Sequence, residues 1–361
     1  MNINKGDTLL TFGFTAGTLF DMKEAEVIFE ASSEEERHNR YREYFAGMNA
    51  RGEVFKPGPA LGMYIALQGL REKIPDNLIK LRFGLTARFD TNHEGAITLA
   101  NSLEHYFLKD GKDLLPDYCS LTGYLEQSSS HKVKNADVVF TSSDSSAKEY
   151  HNSGIAAIHI PNISELQNMK MYNNRDAKIN FIFDFDGVVV DHGSEIVYQA
   201  AKQIEGVDPI KAFNMNEIEN RNIPMQLGPL GLFLQKASLI VAHYQKQILQ
   251  NEIKPEDVPF ETRIMTARGG GAVLRVLKTL TYYNIQVSRA DFEDGSPKYI
   301  ALGMLDENAI NLFMEDSFVH VDGARRNANH VMAGLVFNDY TSGRVCLEET
   351  VAKLRQKKAQ S

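Results

Sequence analysis

The chain has 361 residues, 43 % of them hydrophobic and 24 % charged, the composition of a globular protein long enough for about two domains. No apolar run approaches the roughly 18–20 residues of a membrane-spanning helix, MNINKGDTLL lacks the pattern of a secretory signal, and the only thiols, Cys119 and Cys346, sit outside any CxxC spacing. A cytoplasmic protein without membrane span, disulfide framework or thiolate zinc site is expected, and its net charge of −8 argues against nucleic acid as a partner while leaving room for a small anionic substrate.

Leu10 to Asp21 (LTFGFTAGTLFD) reads first, as an apolar strand, a Gly-containing loop and a terminal Asp. Gly58-Pro59 then opens the helical pattern GPALGMYIALQGL, and Thr86-Ala87-Arg88 closes the strand-like run LRFGLTAR. DVVFTSSD from Asp137 reads as a buried strand with a polar end, followed by the apolar run GIAAIHI. A polar stretch without apolar period, Asn162 to Lys178, marks a junction. Beyond it the landmarks return in the same order: Phe181 to Asp191 (FIFDFDGVVVD), Gly228-Pro229 opening GPLGLFLQKASLI, Thr266-Ala267-Arg268 closing ETRIMTAR, and INLFMEDS from Ile310 ahead of HVMAGLV. Asp21 and Asp191 are 170 residues apart, as are Gly58 and Gly228, while Thr86 and Thr266 are 180 apart.

Landmarks in constant order at nearly constant offset predict a tandem repeat. Each half alternates short β-rich runs with helical periods, so the fold class is α/β with mostly parallel sheets, twice. Two α/β domains that share strand-turn-helix chemistry without common descent are the alternative. The expected limits are 1–165 for the first repeat, 178–345 for the second and 346–361 for a C-terminal helix or tail. The helical pattern of about 192–260 reads as a cap inserted into the second repeat, with a helical layer on the sheet as the alternative.

Chemistry-bearing residues gather in the second half. A hydrophobic strand delivers Asp184 and Asp186 at its C-terminal end with Gly187 in the turn, where parallel sheets bind ligands, although Asp and Gly are also ordinary turn residues. Thr266 ends the run FETRIMT ahead of Gly269, Gly270 and Gly271 and a helical period, an arrangement that lets backbone N–H groups approach a phosphate. Lys298 follows Pro297 at a predicted helix start, Pro297 being placed in the first turn. Glu315 and Asp316 end another apolar strand and would complete an oxygen-ligand site for a hard cation such as Mg²⁺.

Asp-x-Asp-Gly, then Thr, then Lys, then an acid pair resembles the haloacid dehalogenase superfamily of phosphotransferases. From about residue 19 to residue 324 the chain is similar to the cytosolic 5′-nucleotidase I family, on the stretches LFDMKEAEVIFE, FKPGPALGMYIALQGL, GIAAIHI, QLGPLGLFLQKASL, TARGGGAVLRVLKTL and FMEDSFVHVDGA. The resemblance implies a Mg²⁺-dependent 5′-nucleotidase that hydrolyses AMP and related nucleoside monophosphates through an aspartyl-phosphate. Asp184 would be the nucleophile and Asp186 the acid and base. Thr266, Ala267, Arg268 and Lys298 would bind the phosphate, and Asp184, Asp186 and Asp316 would hold the metal. Glu315 replaces a frequent Asp, so which acid meets the metal stays open, with Asp316 preferred. A sugar-phosphate phosphatase and a nucleotide-binding regulatory protein without turnover are the alternatives.

In the first half the alignment sets Gly13 and Thr15 against Asp184 and Asp186, and Ser142 and Ser143 against Glu315 and Asp316. This repeat is expected to be degenerate and catalytically silent, either completing the substrate pocket or binding a regulatory nucleotide such as a nucleoside diphosphate activator. A homo-oligomer is compatible with the sequence.

Overall fold

The computed structural model describes residues 8–89, 93–108, 113–121, 135–161, 174–338 and 341–360; residues 162–173 of the expected junction lie outside them. The chain forms two compact units, one from Asn4–Ile179 with Glu307–Ile310 and the other from Asn180–Asp306 with Asn311–Ser361.

In the N-terminal unit β1 (Leu9–Thr15), α1 (Ala16–Leu19), β2 (Phe20–Asp21), α2 (Lys23–Ala31), α3 (Glu34–Ala50), β3 (Lys56–Pro57), α4 (Leu61–Lys73), β4 (Lys80–Ala87), α5 (Glu94–Phe107), β5 (Tyr118–Leu121), β6 (Val138–Thr141), α6 (Asp144–Asn152) and β7 (Ala157–His159) follow one another. The C-terminal unit carries β8 (Ile179–Phe183), α7 (Gly193–Lys202), α8 (Pro209–Glu219), α9 (Gly231–Leu249), β9 (Phe260–Thr266), α10 (Ala272–Tyr282), β10 (Arg289–Phe292), α11 (Lys298–Leu302), β11 (Ile310–Glu315), α12 (Phe318–Asn327), β12 (Val331–Val336) and α13 (Thr341–Gln360).

Central strands are apolar on both faces because helices cover both. Residues 10–14 of β1 and all of β8 and β11 are buried. Strand order in the N-terminal unit is β7-β6-β1-β4-β5, every pair parallel. In the C-terminal unit it is β12-β11-β8-β9-β10, with β9–β10 and β11–β12 parallel. Numbered from each unit's first strand, and setting aside the short β2–β3 pair, both orders are the same.

The correspondence extends to single hydrogen bonds. Gly58 N–H donates to Leu19 O and Ala60 N–H to Thr18 O, each at 2.8 Å; Gly228 N–H donates to Val189 O and Leu230 N–H to Val188 O, each at 2.9 Å. All four positions are displaced by 170 residues between the units. A Cβ on Gly58 would fall 2.6 Å from Phe20 N, and one on Gly228 2.4 Å from Val190 O. Both Gly-Pro pairs therefore stand where the chain leaving the first strand passes too close for a side chain.

Two expectations change. The helical stretch of 192–260 is not one cap: α9 lays Phe233 against Phe181 and Phe183, with ring centroids 6.0 and 6.1 Å apart, and so is the crossover helix between β8 and β9. Its apolar face requires the sheet. Only α7 and α8 are left as a candidate cap. The C-terminal helix begins at Thr341, five residues before the expected 346, and packs Leu347, Val351 and Leu354 against Ala200 and Ile204 around α7.

Candidate active site

Asp184 is the first residue beyond β8, its N–H donating to Met314 O of β11 at 2.9 Å. The turn behind it needs Gly187. That residue has φ +75°, and a Cβ there would fall 2.2 Å from Asp316 Oδ2. Thr266 ends β9, is buried, and its hydroxyl accepts from Arg268 N–H at 3.3 Å. Ala267 O accepts from Gly295 N–H at 3.0 Å, which ties the loop after β9 to the one before α11.

Lys298 is the first residue of α11, with Pro297 at the N-cap rather than in the first turn as expected. A lysine at a helix start is ordinarily solvated, yet Lys298 is 3 % exposed. Its Nζ lies 2.6 Å from Asp184 Oδ1 and 2.6 Å from Glu315 Oε2. Glu315 Oε1 accepts from Ser317 N–H at 3.0 Å, so both oxygens of Glu315 are engaged. Asp316 Oδ2 stands 3.6 Å from His192 Nε2. Ligand oxygens of Asp184, Glu315 and Asp316 lie within 4.8 Å of one another.

These charges are deeply buried and uneven in sign. Burial and then Glu315 push the Asp184 carboxyl up to about 7, with Lys298 opposing. Burial also raises Glu315, again against Lys298. Lys298 itself is pushed down by burial and more than restored by Asp184 and Glu315, so its proton is held more firmly than usual. Burial lowers His192, and burial followed by Lys298 lowers His320. One ammonium among three carboxylates is the setting in which a divalent cation binds well.

The structure thus brings Asp184, Lys298, Glu315 and Asp316 together. Asp186 follows two residues on, its carboxylate held by Arg268 at 2.7 Å from Nε and 2.6 Å from Nη2. The Arg268 guanidinium also bonds Glu217 of α8, so its charge is paired with two carboxylates. In the N-terminal unit the register differs by one from the sequence alignment. A Cβ on Gly17 would meet Ser142 Oγ as one on Gly187 would meet Asp316, and Ser143 and Ser317 are the N-caps of α6 and α12. Ser142 therefore corresponds to Asp316, and Thr141, the last residue of β6, to Glu315, the last of β11. Gly13 lies inside β1, paired with Gly84, rather than beyond a strand end.

Comparison with known proteins decides the family. The 5′-nucleotidase family matches residues 1–339. The chain belongs to the 5′-nucleotidase family. It is 26 % identical over 327 residues to human cytosolic 5′-nucleotidase 1B, which bears out the resemblance read from the sequence. The alignment takes in 89 % of this chain and 48 % of that protein, so the chain spans about half the length of its relative. No solved structure matches it. Among the described residues no helix is long and apolar enough to cross a membrane.

Two further residues of the cluster, Glu217 and Arg275, are not marked by the sequence. Glu217 is wholly buried in α8 and accepts from Ser194 Oγ at 2.8 Å, Asn216 Nδ2 at 3.0 Å and Arg275 Nη1 at 2.9 Å. Nothing in KAFNMNEIEN separates it from Glu219, which is exposed and pairs with Lys357. Asn220 and Arg221, just beyond the end of α8, bond within their own turn, to Asn216 O and Ile218 O.

Proposed function

We propose that the chain hydrolyses nucleoside 5′-monophosphates, AMP and related ribo- and deoxyribonucleotides, to nucleoside and phosphate, with Mg²⁺ as cofactor. One observation carries the reading: the buried Lys298 ammonium at 2.6 Å from both Asp184 and Glu315, beside Asp316. In phosphoryl transfer positioning and charge neutralisation supply most of the catalysis, and a fixed cation against an acid at a strand end suits both.

The donor set fits a hard cation, since the clustered ligand atoms are all carboxylate oxygens. Glu315 has both oxygens engaged, which favours the side chains of Asp184 and Asp316 with the backbone carbonyl of Asp186 as ligands. When bound, Mg²⁺ supplies Lewis-acid neutralisation of phosphoryl oxygens. Asp184 attacks phosphorus as the bond to O5′ breaks, and Asp186 gives its proton to O5′. A water then hydrolyses the aspartyl-phosphate while Asp186 takes a proton back, and phosphate leaves. Thr266 and the backbone of Ala267 and Arg268 hydrogen-bond the transferring group, and Lys298 offsets its charge.

The shared strand order and the 170-residue displacement of paired hydrogen bonds support a tandem duplication of a haloacid dehalogenase-like unit. Acids remain at the functional strand ends of the second copy, while Thr141 and Ser142 stand at those of the first. The human relative is a cytosolic 5′-nucleotidase, which favours a cytoplasmic location. A phosphate-release screen over nucleoside monophosphates and sugar phosphates, with and without Mg²⁺, tests the reading. Mg²⁺-dependent release from nucleotides is expected, and release confined to sugar phosphates would overturn the substrate assignment.

A further inference from the structure

A buried arginine in the loop after β9, beside the candidate phosphate site, invites the role of phosphate ligand. The surroundings of Arg268 point elsewhere. Its Nε and Nη2 donate to the two oxygens of Asp186 at 2.7 and 2.6 Å, its Nη1 donates to Glu217, and Nη2 also lies 3.3 Å from Met225 Sδ. Phe185 and Phe213 place their ring centroids 5.5 and 5.1 Å from its Cζ. The side chain is 2 % exposed. Edge and flanks of the guanidinium are thus occupied by carboxylates, sulfur and aromatic rings.

Glu217, the other anchor, is fixed from three elements. Ser194 of α7 and Arg275 of α10 donate to its Oε1, as does its neighbour Asn216 in α8. Arg275 Nε also donates to Ile223 O at 3.0 Å, beyond the end of α8. Two carboxylates, Asp186 and Glu217, meet two guanidinium groups, so this network is balanced in charge where the Lys298 cluster is not. Hydrogen bonds from two directions on a buried carboxylate such as Glu217 fix its geometry well.

We propose that Arg268 is a positioning residue for Asp186, held in place by Glu217 of α8, and that the clamp aims the Asp186 proton at the leaving oxygen of the substrate. The proposal rests on the phosphatase reading above. A carboxyl group has about four lone-pair sites; the guanidinium fork takes two on one side and leaves the other side for the proton that moves to O5′ while the Asp184–phosphorus bond forms and the phosphorus–O5′ bond breaks. Glu217 sits on α8 and Ser194 on α7, so the aim of Asp186 depends on both candidate cap helices.

The test compares kcat/KM, which covers events up to phosphoryl transfer, for AMP and for its analogue with sulfur in place of O5′. A thiolate leaves without protonation, and the two esters share every other binding determinant. Arg268→Met is expected to lower kcat/KM for AMP by roughly a hundredfold or more and for the sulfur ester by less than about tenfold, with KM for AMP moving little. Glu217→Gln, nearly the same shape, is expected to give the same selectivity with a smaller loss, and it carries the test alone if Arg268→Met fails to fold. Equal losses on the two esters, or a wild type that cleaves AMP but not the sulfur ester, would overturn the proposal. A wild type that releases no phosphate from any nucleoside monophosphate in Mg²⁺ would overturn the phosphatase reading itself, and the positioning role with it.

Discussion

Asp184 and Gly187 show how closely local chemistry constrains the site. The Asp184 carboxylate is buried beside Glu315 with a single ammonium between them, and buried like charges oppose the fold. Asp184→Asn is therefore expected to raise the melting temperature of metal-free protein, by on the order of 1 kcal/mol of stability, and to weaken the further stabilisation that Mg²⁺ gives the wild type; calorimetry with and without Mg²⁺ reads both, and a destabilised Asp184→Asn would contradict the unbalanced cluster. At Gly187 a methyl group would meet Asp316 Oδ2 at 2.2 Å and His192 Cε1 at 2.3 Å on a backbone with φ +75°. Gly187→Ala is expected to cost about 1–3 kcal/mol and to depress turnover by displacing Asp316. Unchanged turnover at a temperature where the variant is folded would show that Asp316 has room to move without consequence.

Among the elements, α13 is the one that family membership explains least. It lies beyond residue 339, where the family match ends, yet it packs Leu347, Val351 and Leu354 on Ala200 and Ile204, and its Lys357 pairs with Glu219 of α8. These contacts brace α7 and α8, the helices that supply Ser194 and Glu217 to the Arg268 network. Val351→Asp is expected to cost about 2–3 kcal/mol from lost burial and an unpaired charge, and to lower turnover along with stability; a melt unchanged from wild type would show that α13 braces nothing. The same elements show what pattern alone conveys. Strand ends and the Gly-Pro helix starts were legible because a buried parallel strand is a continuous apolar run and because a glycine marks a close backbone approach. The division of 192–260 was not, since α8 and α9 are both helical in period and only packing of Phe233 on Phe181 and Phe183 tells a sheet-covering helix from one that stands off it.

At the scale of the whole chain, two units of equal strand order carry different residues at corresponding strand ends, Thr141 and Ser142 in one and Glu315 and Asp316 in the other. Ser142 stands where Asp316 stands in the other unit, so Ser142→Ala is expected to leave kcat unchanged while Asp316→Ala lowers it by about a hundredfold or more; comparable losses from both would mean that the N-terminal unit shares in the reaction. Of the four side chains that the structure brings together, Asp184, Glu315 and Asp316 are marked in the sequence because each follows or ends an apolar run, whereas Lys298 is marked only by its place in the ordered set that runs from Asp-x-Asp-Gly to the acid pair. Glu217 and Arg275 were not, because a buried ion network is assembled from positions whose local sequence is that of a solvated helix face. The proposed reaction is tested most directly by phosphate release from AMP in Mg²⁺, by wild type and by Asp184→Asn shown to be folded. Wild-type release that stops in excess chelator and returns with Mg²⁺, with none measurable from Asp184→Asn, is the expected result; retention of more than about a tenth of wild-type activity by the folded variant would contradict Asp184 as nucleophile.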